Sequence, residues 1–330
     1  MEARFSDDRN ALYQRLLPAI LSALVVGFFY LTARYVVSWK LALALAAWLA
    51  VGLLLSSTSR SVWSDTYALP LNFGGMYILV RSVFARRPFR HWTILLGIVL
   101  SLAFMMKPPN AVPSAMIGLL AMLAPEVSVR LKLSFVVTCV LCAFLFGASS
   151  FLIYGEIVPP YFAPSRVEQF ELSRLLGVLF SPGRGLLWFM PSAFLAAITP
   201  ILVWRDRRVL VVSLVALIAL VLSVLAIGNF EYWWGGWSYG PRLLQFALPS
   251  VALLALIAIR QVRLWSMRRA ALVFSILAAV AGWEGVVHIS GTLSPKAAAW
   301  NKLPMNVNNA QYRLWDWSDP QFLAAFRPEY

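Results

Sequence analysis

Charge is scarce in this chain. Asp, Glu, Lys and Arg together make up 13% of its 330 residues, about half of what a soluble globular domain carries, and a water-facing surface cannot be built from so little. Acids are scarcer still, 14 against 28 basic residues, for a net charge of +14. Such an excess can mark a nucleic-acid binder, but here the basic residues are not gathered in a patch. They punctuate apolar runs, the pattern of loops in a polytopic membrane protein, so nucleic acid is excluded as a partner. There are only two cysteines, which rules out a disulfide framework. Cys139 and Cys142 lie three apart in one apolar run, on one helical face, and read as small buried residues rather than a redox pair. Histidine is limited to His91 and His288. Glu284 and His288 are spaced i, i+4, but two ligands do not make a metal site and His91 falls on the other side, so no residue is assigned to a metal. There is no basic n-region with a cleavage site, no phosphate-cradling glycine loop followed by Lys-Ser/Thr, no Ser-His-Asp arrangement, and no repeat of 20 to 50 residues.

What the chain has is long apolar runs, 61% hydrophobic residues and a mean hydropathy of +0.75. A bilayer crossing needs about 20 such residues. By that rule ten spans are expected, at about 16–36, 41–57, 67–85, 91–106, 110–125, 130–153, 185–204, 208–228, 243–260 and 270–290. Between the fourth and fifth, Lys107-Pro108-Pro109-Asn110 is either a tight turn or the tip of a re-entrant pair. Five short loops hold dense positive charge: Arg34 and Lys40; Arg81, Arg86, Arg87 and Arg90; Arg130 and Lys132; Arg205, Arg207 and Arg208; Arg260, Arg263, Arg268 and Arg269. Only Glu126 and Asp206 oppose them, so this side is cytoplasmic and segments 154–184, 229–242 and 291–330 lie outside. The same alternation puts the N-terminus outside, which one further upstream span would restore to the usual cytoplasmic start. The expected fold is all-α: a bundle of about ten transmembrane helices over residues 1–290 with short amphipathic outer segments. Residues 291–330 are expected as an irregular extracytoplasmic tail packed on the outer face.

The outer connection Asn229–Pro249 reads N-F-E-Y-W-W-G-G-W-S-Y-G-P-R-L-L-Q-F-A-L-P. Its Trp and Tyr residues suit a membrane interface, and Gly235, Gly236, Gly240 and Pro241 force turns. Arg242 then opens an apolar run, a costly place for a cation unless it meets an anion, and its planar fork suits phosphate. With Arg184 in S-P-G-R-G and the rings of Trp234 and Tyr239, it composes a candidate substrate site, expected as one outer cavity facing both arginines. Cations at headgroup depth bind phosphate and aromatic faces stack on sugars, so the ligand that fits is a polyprenyl-phosphate sugar. Among the outer acids, Asp65 and Glu231 stand out as candidate catalytic bases because each sits at a helix mouth among aromatics. Asp7 and Asp8, flanked by Arg4 and Arg9, read as an ion-paired flank.

The motifs L-F-S-P-G-R-G-L-L-W-F-M-P (179–191), W-W-G-G-W-S-Y-G-P-R-L-L-Q-F-A-L-P (233–249) and R-L-W-D-W-S-D-P-Q-F (313–322) resemble bacterial membrane proteins related to the dolichyl-phosphate-mannose-protein mannosyltransferases, of the GT-C class. The resemblance implies inverting transfer of a sugar from a lipid-linked donor to an acceptor of unknown identity, on the outer face of the bacterial cytoplasmic membrane, with membrane lipid as a further partner. It implies no definite cofactor and leaves room for a divalent metal. In that class an acid in the first outer loop serves as base or metal ligand. Here the chain starts near the family's second span, so a shortened member, inactive or partner-dependent, is the alternative, and little transfer is expected of the chain as it stands. A transporter or flippase of lipid-linked glycans is disfavoured, because the spans carry almost no charge at mid-depth.

Overall fold

The computed structural model describes residues 2–52, 63–162 and 171–327, with side chains from Leu12 onward except Arg15. Asp7, Asp8 and Glu168 lie outside the described side chains. Among the described residues helices dominate and no strand occurs. A long N-terminal helix, α1 (Glu2–Arg34), packs on α2 (Trp39–Gly52) and α3 (Ser64–Leu79), the last through Phe29 set edge-on to Phe73. Then come α4 (Trp92–Met106) and α5 (Ala111–Leu123), joined by a 3₁₀ turn, Pro108–Asn110, so the K-P-P-N segment is a tight turn. Helix α6 (Val129–Tyr154) begins on the Ser128 side chain and ends on Gly155 in the left-handed conformation.

Five helical segments are long and apolar enough to cross a membrane: Leu12–Arg34, Val129–Tyr154, Arg207–Gly228, Arg242–Val262 and Met267–Leu293. Three more, Trp39–Gly52, Trp92–Met106 and Pro108–Leu123, are apolar but shorter. This is a multi-pass membrane protein. Helix α6 shows why the composition is so apolar: of its residues only Ser150 is buried, while Leu141, Phe144 and Leu145 face outward, which only a lipid environment makes tolerable.

Of the ten expected spans, five are thus matched by helices of spanning length; 41–57, whose last five residues lie outside the described ones, 91–106 and 110–125 form the three shorter helices, and the remaining two take a different form. Residues 67–85 fall on α3, a 16-residue helix that carries Asp65, Pro70 and Asn72 and runs on into a π turn, Val80–Phe84. Residues 185–204 do not form one helix. Pro191 and Pro200 lack an N–H and crowd the preceding turn, so the run is divided into α8 (Leu186–Phe189), α9 (Ser192–Ala197) and α10 (Thr199–Leu202). Backbone groups freed inside a bilayer need partners. Here α13 (Met267–Leu293) supplies them: Glu284 Oε1 accepts from the Ser192 N–H at 2.8 Å, and His288 Nε2 lies 2.7 Å from the Phe189 carbonyl. Glu284 also accepts from Trp48 Nε1 at 2.8 Å. The i, i+4 pair is therefore a brace for a broken helix, and among the described residues no group of three or more metal-ligating side chains forms.

Contacts between loops sort as the charge pattern sorts them. Arg208, just past the Asp206 cap of α11 (Arg207–Gly228), pairs with Glu126, joining two of the basic loops. At the other end Gly183 N–H donates to the Leu314 carbonyl at 3.1 Å, and Trp234 and Trp237 donate to Asn308 and Asn306 at 2.9 Å each. The amphipathic helix α7 (Leu172–Phe180) lies here, with Gly177 pressed against Trp233 so closely that a Cβ would come within 2.5 Å of the ring. So does the segment after α13, which starts with the short α14 (Pro295–Ala299) and continues in turns. Its anchors are Trp300, Leu314 and Phe322, all buried, and Arg313, which bonds the Trp300 and Met305 carbonyls and pairs with Asp319. Trp315 and Trp317 are 42% and 57% exposed without loosening it, because neither is an anchor.

Candidate functional site

Arg184 is 1% exposed, and its fork is fully engaged by the protein. Nε donates to the Trp234 carbonyl at 2.9 Å, Nη1 to the Gly183 carbonyl at 3.0 Å and to Gln321 Oε1, and Nη2 to the Gly236 carbonyl at 3.1 Å and Asn301 Oδ1 at 2.7 Å. The glycine turn makes this wrapping feasible: Gly235 and Gly236 hold φ at 74° and 66°, which curls the Trp234 and Gly236 carbonyls onto one cation. Burial, reinforced by the charge of Arg242, pulls the pKa of Arg184 down to about 9, which leaves it protonated at neutral pH. The expectation that Arg184 and Arg242 face one cavity is thus corrected. A guanidinium with five protein acceptors has no donor left for a ligand, and Arg184 sits behind the wall.

Arg242 does face the cavity. It opens a 3₁₀ turn, Arg242–Ala247, that leads into α12 (Leu248–Val262), and its guanidinium lies 3.9 Å from the centroid of the Trp63 ring. Among the described residues no side chain or carbonyl accepts a hydrogen bond from it, and the charge of Asp65 reaches it without one. The cavity has a volume of about 370 Å³ and is walled by Trp63, Trp237, Ser238, Tyr239, Arg242, Asn301 and the chain from Gly291 to Pro295. Tyr239 is pinned by its hydroxyl, which donates to the Val287 carbonyl at 2.8 Å, and burial raises its pKa so that it stays a neutral phenol. Its ring rests on Gly291, where a Cβ would come within 2.0 Å.

Asp65 lies two residues past Trp63, in the first turn of α3, and is 2% exposed. Its Oδ2 is 2.6 Å from Lys107 Nζ, and its Oδ1 has no hydrogen-bond partner among the described residues. Lys107 is held in place by a buried amide network. Asn72 Nδ2 donates to Asn110 Oδ1 at 3.2 Å, and Ser114 Oγ donates to Asn72 Oδ1 at 3.0 Å, which fixes the 107–110 turn against α3. Neither Asp65 nor Glu231 lines the cavity; Asp65 is buried within the charge field of Arg242, whereas Glu231 is exposed. Trp234 is buried and bonded to Asn308, so its part is in the wall rather than on the ligand side. Sequence reasoning did not single out Lys107 or Asn301 as site residues. The signal for Lys107 was a lone cation at the outer end of an apolar run, the same feature that marked Arg242; nothing in the local sequence marks Asn301.

No curated protein and no solved structure matches the chain. The three motifs that suggested a family all lie C-terminal to residue 178, whereas the family match falls on the N-terminal part, where Trp63, Asp65, Asn72 and Lys107 sit. Residues 6–154 match the family model of the dolichyl-phosphate-mannose-protein mannosyltransferases, which is the family the motifs resemble.

Proposed function

We propose that this protein is a membrane glycosyltransferase that takes its sugar from a polyprenyl-phosphate carrier at the end of the bundle where Arg242, Asp65 and the C-terminal segment meet. The observation that carries this reading is Arg242: a half-buried guanidinium stacked on Trp63, with no hydrogen-bond acceptor among the described residues, facing a polar cavity and within electrostatic reach of the buried Asp65 carboxylate. Arg242 and Lys107 share the single carboxylate of Asp65, so one positive charge is in surplus at that depth, and a phosphate ester offers the bidentate partner the arginine fork fits. Trp63 holds the fork flat, and Trp237 offers a ring on which a sugar can stack. Asp65 is the base for proton removal from the acceptor, because its Oδ1 has no hydrogen-bond partner among the described residues while Lys107 holds Oδ2. Glu231 lacks any such setting.

By the positive-inside rule this end lies outside the cytoplasm, on the outer face of a bacterial cytoplasmic membrane, with the three shorter apolar helices, α3 and the proline-broken segment completing ten crossings. The full chain in lipid nanodiscs, given radiolabelled polyprenyl-phosphate mannose, tests the reading. Saturable binding of the donor that Arg242→Gln abolishes supports it; donor binding that is absent, or indifferent to Arg242, refutes it.

A further inference from the structure

Asn301 belongs to two environments at once. It lines the cavity with Arg242, and it also enters the knot around Arg184. A guanidinium has donors and no acceptor, so the amide atom 2.7 Å from Arg184 Nη2 must be the carbonyl oxygen. Gln321 is fixed by the same logic. Its Oε1 accepts from Arg184 Nη1 and, at 3.0 Å, from the Gly240 N–H, so its NH₂ is left to donate to the Ser238 carbonyl at 3.0 Å and toward Asn301 Oδ1 at 3.5 Å. Two donors therefore converge on Asn301 Oδ1. The NH₂ group is turned away from the knot, with only a long 3.5 Å contact to the carbonyl of Ala298, itself a cavity residue. Neither amide can flip without setting a donor against a donor inside a buried network, so the orientation is locked from behind the wall.

We infer that Asn301 is a specificity-determining residue for the sugar: its NH₂ donates to a hydroxyl oxygen of a hexosyl phosphate whose phosphate lies on Arg242, and Arg184 is a positioning residue that acts through Asn301. This rests on the reading of the cavity as the donor site. The cavity's 370 Å³ falls within the range of small-molecule sites, and the hydroxyls of Ser238 and Ser294 belong to the same polar lining. A buried arginine that touches no ligand thereby gains a role in recognition, since it keeps an amide from presenting its oxygen to the sugar.

The test is the ratio of two affinities, for polyprenyl-phosphate mannose and for polyprenyl methyl phosphate, a sugar-free diester of the same single charge, measured on the full chain in nanodiscs. Asn301→Asp keeps an oxygen on Arg184 and replaces the NH₂ by a second oxygen. Any added repulsion of phosphate affects both probes, so it cancels in the ratio. The expected result is that the preference for the sugar-bearing probe drops about tenfold or more. An unchanged ratio overturns the inference and leaves the donor-site reading standing. Wild-type protein that binds neither probe overturns both. Should the variant fail to fold, monodeoxy-mannose versions of the probe on the wild-type protein give the same information: at least one must bind about tenfold more weakly than the intact sugar, and equal binding of all of them overturns the inference.

Discussion

Lys107 reaches across from the 107–110 turn to place its Nζ 2.6 Å from Oδ2 of Asp65, and both groups are largely withdrawn from solvent. The pair is held by the Asn72, Asn110 and Ser114 network rather than by the long lysine chain alone. Breaking a buried ion pair by removing one partner costs about 3–5 kcal/mol, because the other charge is left uncompensated. Lys107→Met is therefore expected to lower thermal stability in detergent by about that amount, and the double variant Lys107→Met/Asp65→Asn to recover most of it. A single variant as stable as the parent would show that the pair carries no structural weight.

The two candidate bases separate cleanly in a transfer assay. Contrary to the expectation of little transfer, a base within the chain predicts that it transfers sugar and that Asp65→Asn lowers the rate on the order of 100-fold or more, the usual contribution of a placed carboxylate, whereas Glu231→Gln should leave it unchanged. Loss of transfer in Glu231→Gln alone would move the base to the exposed loop.

Arg184 and Arg242 should fail in opposite ways. Arg184→Gln strips hydrogen bonds worth about 1.5–3 kcal/mol each from a buried charged group and leaves carbonyls unpaired, so unfolding is the main effect. Arg242→Gln should leave the melting temperature near that of the parent and remove binding of polyprenyl phosphate. Thermal melts and binding isotherms on both variants decide the matter. Equal loss of stability would deny Arg242 its place on the ligand side.

At Gly291 the requirement is steric. A Cβ there would come within 2.0 Å of the Tyr239 ring, so Gly291→Ala should cost about 1–3 kcal/mol as overpacking does. Tyr239→Ala should suppress that cost and Tyr239→Phe should not, a coupling that a double-mutant cycle reads directly.

Much of this architecture is legible in residues taken one at a time. The glycines at 235, 236 and 240 announce the positive φ they adopt, and the spacing of arginines separates the two ends of the bundle. Arg242 at the mouth of an apolar run falls on a cavity wall. Arg184 carries the same local signal and has the opposite fate, because four of its five acceptors come from residues 50 to 137 positions away in the chain. No window of sequence around S-P-G-R-G contains Trp234, Asn301 or Gln321. The pairing of Asp65 with Lys107 is hidden for the same reason. The seventh apolar run has the length of a span, but its two prolines, plain in the sequence, outweigh its hydropathy.

The brace across Pro191 has a mechanical side. A proline break in a membrane helix ordinarily acts as a joint, since the backbone groups it frees can exchange partners as the angle changes. Here the two loose ends, Phe189 and Ser192, are held one turn apart on a single neighbour, by His288 and Glu284. Between those two residues the same neighbour offers the Val287 carbonyl to Tyr239, at the cavity wall. The joint is splinted. Any bending at Pro191 must drag the C-terminal half of α13 with it, so a molecule entering the cavity sideways from the lipid would find this part of the bundle moving as one piece, with the Tyr239 wall attached.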